Sequence, residues 1–544
     1  MISKLPQEIL IYVLSYLSFV DILTCRRVNH FFNNVILHSA FLEYLIELQS
    51  SGYEDNPSSK LTVSEKVSLL RATEAAWKLL IFGRATSIRF TSFKPSSLYD
   101  FTGGVLMLGE APENPMSHWT QALRWIQLSS IYQRNHDDID WNRIDVHAEI
   151  IDFGLAVQEH DLAAIATYNV ESDGLTVFVN LHLIQISKGT PHPLASEAVL
   201  RITEAPIAVI HHCFISIEII GDTLGIILTF ISADFHERTE VYFYDWKSGK
   251  KIASRDTPPE TYFSFVFISQ DMLSCPAVPK IAWSYVASAQ PSLILDLPQL
   301  SNGYHVTQIM CRSEPKPYAS FDYTSPLNCT TPFQPNGSDA VVLFDIHITH
   351  PFNIHDFFTL VVHRSSLLAL LDDMPTTMPS TLSVPWSIWG PKICRWLPNE
   401  GIPNTWITVS CGQRYITMEK ESEDDARPIT VYDFNRSSFR KSYSCFPLVQ
   451  RFGQTTLGGI EYGIGVVDEP SVLNTDVFAI PPGPVSSSLP YQKGCTSEQY
   501  WYSAVLLDQD KIVGVMVDDE DRIVELAVHT VGPRSYISTR RDTQ

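Results

Sequence analysis

The chain has 544 residues, 45% of them hydrophobic, with 34 Pro and 25 Gly, and 39 Lys and Arg against 60 Asp and Glu leave a net charge of −21 at pH 7. Such a length accommodates several domains or one large repeat-built unit, and the size of the core sets no limit. The negative balance excludes broad attraction to nucleic-acid phosphates or anionic lipid, for which clustered Lys and Arg are needed.

The chain opens Met1-Ile2-Ser3-Lys4-Leu5-Pro6-Gln7-Glu8, with Pro and Glu where a signal peptide needs an unbroken apolar stretch. Its longest apolar runs, such as residues 226–231, fall far short of the roughly 20 residues that span a bilayer. The expectation is a cytoplasmic and/or nuclear protein without a membrane partner. Helical periodicity follows: Leu5, Ile9, Val13 and Leu17 recur every four positions, with Leu10 and Leu14 beside them. Pro6 suits the first helical position. Ser18-x-x-Asp21 reads as a capping box for a second helix bearing Ile22, Leu23 and Cys25, and Asn29 caps a third bearing Phe32, Val35 and Ile36. A further amphipathic stretch, Phe41 to Leu48, leads to a turn-rich linker at residues 51–59, and Ser64 to Leu80 is helical again.

From about residue 85 the period becomes two, or short apolar runs: Gly104 to Leu108, Leu175 to Val179, Val241 to Tyr244, Val341 to Phe344 and Ile429 to Tyr432. Strands ending in a marker at Gln185, Asp245, Asp296, Asp345 and Asp433, with weaker candidates at Trp389, Ala479 and Val524, lie 44–60 residues apart. A period of about 40–50 residues with several strands per unit is that of β-propeller blades. Val241 to Lys250 parallels Leu181 to Thr190: each is a strand followed by a turn in which Gly supplies the positive φ. A large β-sandwich or jelly-roll assembly is the alternative. A leucine-rich solenoid lacks its repeat. The reading is an α+β multidomain chain: a small all-α unit at 1–46, a helical linker at 47–84, a β-propeller of about seven blades at 85–535 and a tail at 536–544.

The first forty residues, with Leu5-Pro6, the ladder Ile9, Leu10, Val13, Leu14 and Leu17, Asp21-Ile22-Leu23 and Arg27-Val28-Asn29, resemble an F-box. One position departs, Phe32, where the family often has Trp, and this keeps an aromatic plug of smaller volume. The remainder, with segments such as Ser187 to Ala195 and Asp245 to Gly249, is similar to the propeller-like C-terminal regions of fungal F-box proteins. The resemblance implies docking onto the Skp adaptor and, through it, a cullin-RING ubiquitin ligase of the SCF type, with the propeller holding an unknown protein substrate. Independently, a three-helix unit of this size is too small to bury all its apolar side chains, so some must face a partner. The candidate adaptor contacts are Leu5, Pro6, Ile9, Leu10, Val13, Leu17, Ile22, Leu23, Val28 and Phe32, with Leu5-Pro6 and the exposed flank of the first helix foremost. For the substrate, the aromatic segment Pro385 to Trp406 suggests Trp386, Trp389 and Trp396, against a plain role in blade packing.

Chemistry is expected to be absent. There is no phosphate loop, no G-x-S-x-G elbow and no H-E-x-x-H helix. His211 and His212 are adjacent and point to opposite faces of a strand. The acidic runs Glu421 to Asp425 and Asp518 to Asp521 lack EF-hand ligand order. The nine cysteines form no C-x-x-C pair and read as free buried thiols. Three N-x-S/T matches, at Asn328, Asn336 and Asn435, are chance in a chain that avoids the secretory route. The expectation is therefore a non-enzyme with no cofactor or metal and no nucleic-acid partner. Two rivals stay open: an adaptor-bound scaffold without a ubiquitin-transfer role, and a propeller-fold enzyme.

Overall fold

The computed structural model describes residues 5–532 except 113–119, 133–138, 208–212, 231–237, 258–261, 278–279, 288–290, 318–326, 328–330, 351, 353, 373–381, 400–405, 419–425, 439–463, 474–475 and 480–484. The His211-His212 pair, the Asn328 match, the first acidic run and the tail at 536–544 lie outside the described residues.

Apolar spacing and side-chain caps build the N-terminal unit. Helix α1 (Gln7–Leu14) begins after Pro6, which sits at the capping position itself. Ser18 accepts the Asp21 amide to start α2 (Phe19–Arg26), and Asn29 accepts the Phe32 amide at 2.9 Å to start α3 (His30–Leu37). Ser39 caps α4 (Ala40–Ser50). Leu10, Leu14, Ile22, Val35, Ile36 and Leu42 form its core. A short strand, Tyr53–Asp55, then leads to α5 (Val63–Leu79), opened by a reciprocal Thr62/Glu65 capping box.

Among the described residues the rest is built mainly from seven sheets of four or five strands, antiparallel apart from one added strand, following one another along the chain. Their first strands are Pro95–Thr102, Glu149–Ala156, Cys213–Ile220, Val266–Phe267, His305–Arg312, Ser410–Cys411 and Ala504–Asp508, which open blades 1 to 7. Each pair of neighbouring blades shares one apolar core. Leu155 lies in the core between blades 1 and 2, Leu224 in that between 2 and 3, Phe265 between 3 and 4, Trp283 between 4 and 5, and Phe434 between 5 and 6. Ile512 packs between blades 6 and 7, and Phe101 between 7 and 1. The cores therefore run round a closed ring, which is a seven-bladed β-propeller. Closure joins the start of the ring-forming stretch to its last blade: Thr86–Arg89 is the outer strand of blade 7 and pairs antiparallel with Ile523–Thr530, Ile88 facing Leu526.

Insertions add strands to blades 4 and 6. Leu382–Val384, which follows a helix, Arg364–Asp372, adds a parallel strand to the edge of blade 4, and Ile464–Val467 adds a strand to blade 6. Both cover edges that would otherwise offer unpaired backbone groups.

Candidate partner-binding surfaces

The F-box-like unit divides its apolar residues between two sides. Leu10 and Ile22 are 2% and 0% exposed and belong to the internal core. This corrects their assignment as adaptor contacts: three short helices still need a core of their own, and these two face it. Leu17 and Phe32 are half-buried and pack against that core from its edge. Leu5, Pro6, Ile9, Val13, Leu23 and Val28 are all exposed, Ile9 at 49% and Val13 at 52%. Tyr12 and Tyr16, which the sequence reading did not single out, extend the stripe of α1, their rings 5.1 Å apart edge to face. Positions 9, 12 and 13 share one face of α1, opposite Leu10 and Leu14, and Tyr16 continues it in the turn after the helix. Val20, Phe31 and Leu37 add exposed apolar surface on α2 and α3.

A stiff mount connects this unit to the ring. The linker strand Tyr53–Asp55 pairs with Phe333–Pro335, which belongs to the connection between the first two strands of blade 5. Asp55 accepts from Tyr44 of α4 at 2.5 Å and from Lys66 of α5 at 2.7 Å. Arg71 of α5 pairs with Glu43 and Glu47 of α4. On the ring side, Arg414 of blade 6 donates to Glu74 at 2.9 Å and to the Tyr53 hydroxyl at 2.8 Å, lies 3.3 Å from Asp433, and rests over the Trp77 ring. Glu74 and Asp433 hold the buried guanidinium charged, raising it against the pull of burial.

The mount covers one mouth of the central channel. The cavity there is lined by Thr102, Gly103, Gln158, Glu314, Pro335, Cys411 and Asp508, all at connections from a first to a second strand. Helix α5 enters the ring at that end. Deeper in the channel, Asp100, Asp152 and Glu218 come from the first strands of blades 1, 2 and 3. Lys316, reaching in from blade 5, contacts Glu218 at 2.8 Å and donates to the Leu155 carbonyl. Burial pushes the carboxyls of Asp100, Asp152, Glu314 and Asp508 up to about 7. These carboxylates were missed because each stands alone on its own strand or connection, far from the others in the sequence. Among the described residues no set of three His, Cys, Asp or Glu converges as a metal site.

The tryptophan candidates are corrected as well. Trp389 and Trp396 are buried between blades 4 and 5, and half-buried Trp386 meets both, at 5.1 and 5.8 Å between ring centroids. Trp389 and Trp396 pack the ring and are not surface anchors, while Trp386 stays partly exposed at its edge. Trp406 from the same segment turns inward onto Tyr99 of blade 1, at 4.9 Å. At the end of the ring away from the mount, Leu175, Phe352 and Trp501 stand exposed on connecting loops, Trp501 at 70%. A Trp in the polar stretch after Cys495 was the signal for the last of these.

Comparison with known proteins places a match to the F-box-like family model at residues 2–42. The chain thus carries an F-box-like segment at its N-terminus. No curated protein matches the chain. Among solved structures it is similar to the C-terminal WD40 domain of Sif2, with 11% identity over 83% of this chain and 100% of that one and a TM-score of 0.31. It is likewise similar to a GH93 α-L-arabinofuranosidase of Fusarium graminearum, with 8% identity, coverage of 82% and 97%, and a TM-score of 0.31. A quinohemoprotein alcohol dehydrogenase of Pseudomonas putida HK5 gives 9% identity, coverage of 50% and 42%, and a TM-score of 0.25.

Proposed function

We propose that the chain is a substrate-receptor subunit of an SCF-type cullin-RING ubiquitin ligase, in which the F-box binds the Skp adaptor and the propeller holds a protein substrate. The observation that carries this reading is the uncovered apolar stripe of Ile9, Tyr12 and Val13 on α1, continued by Tyr16 just after it, on a segment matching the F-box-like family. Apolar side chains left at this density on one helix face are the centre of a helical interface awaiting its partner. The substrate binds at the ring end opposite the mount, where loops display Leu175, Phe352 and Trp501; aromatic anchors of this kind dominate binding energy at protein interfaces.

In this role the chain performs no bond chemistry. It raises the effective concentration of target lysines near the ubiquitin-carrying enzyme, and a stiff mount keeps their separation constant. Its place of work is the cytoplasm or nucleus. Quantitative proteomics on cells lacking the chain tests the reading: proteins that accumulate should also be retained by the intact chain and released by Trp501→Ala. Accumulation of no protein that the chain retains would end the receptor reading.

A further inference from the structure

Two histidines meet on one face of blade 5, at the end away from the F-box, and a third stands on the same face across Thr349. His305 starts the first strand, His347 lies in the second (Val341–His350) and His355 in the third (Ile354–His363). The register places His305 opposite Thr349 and Thr349 opposite His355, and His347 is two residues from Thr349 on the same face. His347 Nε2 and His355 Nδ1 stand 3.1 Å apart, while His305 Nε2 lies 3.1 Å from Thr349 Oγ1. The His347 ring is held flat on Phe357, 4.5 Å between centroids, and His305 and His355 are exposed.

The spacing of the first pair matches a chelate. Two nitrogens bound to one Zn²⁺ at about 2.0–2.1 Å in tetrahedral geometry lie about 3.3 Å apart. One of the two facing nitrogens already accepts, so it carries no proton, and the other is freed when its proton moves to the second nitrogen of the same ring. We propose that this face binds a divalent transition metal of the Zn²⁺ class, with His347 Nε2 and His355 Nδ1 as paired ligands and His305 rotating off Thr349 to supply a third imidazole. Imidazole nitrogens suit Zn²⁺, Cu²⁺ and Ni²⁺ over the hard cations. A metal held this way keeps a coordination position open.

The test is calorimetric titration of the full chain with Ni²⁺, and with Zn²⁺ in parallel. The expected result is a saturable site that is lost in His347→Ala and in His355→Ala, weakened in His305→Ala, and unchanged in His350→Ala. His350 lies on the opposite face of the sheet, against Tyr304 and Phe352. Unfolding temperatures measured in chelator should coincide for all four variants, which separates loss of ligand from loss of fold. Absence of saturable binding by the wild type, or equal binding by His347→Ala and His355→Ala, overturns the proposal.

Discussion

Arg414 and Glu74 tie helix α5 to the ring: one guanidinium nitrogen of Arg414 lies 2.9 Å from each carboxylate oxygen of Glu74. The Arg414 and Glu74 side chains are largely shielded from water, and Tyr53, Trp77 and Asp433 surround the Arg414 guanidinium. Removing Arg414 leaves Glu74 buried without its counterion, at a cost of about 3–5 kcal/mol, whereas removing Glu74 leaves Arg414 with Asp433 at 3.3 Å. Arg414→Ala should lower stability by that order in chemical denaturation, and Glu74→Ala by less. The double variant should lose less than the sum. A loss near 0–1 kcal/mol for Arg414→Ala, the range of exposed pairs, would show that the mount does not rest on this contact.

The F-box residues should separate into two classes. Leu10→Ala empties a core position and should cost about 2–5 kcal/mol. Val13→Ala, one turn away on the outer side, should change stability by no more than about 0.5 kcal/mol. Thermal unfolding of the isolated variants checks this, and equal losses at the two sites would contradict the division between core and interface.

The channel carboxylates make stability depend on pH. Burial raises Asp100, Asp152, Glu314 and Asp508 to about 7 in the folded chain, against about 4 when unfolded. The folded state therefore binds their protons more tightly, and their contribution is fully present below about pH 4 and lost as pH rises through about 7. Asp152 is the simplest probe, since its carboxylate accepts the Phe153 amide at 2.8 Å and an Asn carbonyl can do the same. Asp152→Asn should stabilise the chain at pH 8 and have much less effect at pH 5. The same difference at both values would exclude this linkage.

Ring closure rests on a four-residue strand. Ile88 is fully buried between the last blade and the first, so Ile88→Ala should cost about 2–5 kcal/mol in urea unfolding despite its place in a short edge strand. A cost below about 1 kcal/mol would show that the ring holds without this strand.

Much of this architecture was legible in the sequence. Ser18 and Asn29 announced their helices because a capping side chain acts within three residues. The spacing of strands announced blades, because each blade needs about four strands and their turns. The paired segments at Gln185 and Asp245 do end the third strands of blades 2 and 3, and Asp433 ends that of blade 6, each of the first two followed by a positive-φ glycine, Gly189 or Gly249. Asp296 instead ends a fourth strand, Asp345 lies within a second, Trp389 sits in a helix, and Ala479 lies in no strand. The insertions after the third strands of blades 5 and 6 shift the count there. The division of α1 into an inner and an outer face was less legible: Ile9 and Leu10 have the same chemistry, and only packing distinguishes them. Tryptophans likewise serve cores and interfaces alike, so Trp389 and Trp396 carried no label. The channel carboxylates and the histidines of blade 5 were hidden because pairing between strands joins residues that the sequence separates.

The central claim is that the outer stripe of α1 binds the Skp adaptor. Calorimetric titration of the purified adaptor into the intact chain, and into Ile9→Glu and Val13→Glu, tests it most directly. Saturable one-to-one binding by the wild type, abolished in both variants while their unfolding temperatures stay unchanged, is the predicted result. Failure of the wild type to bind, or undiminished binding by both variants, would contradict it.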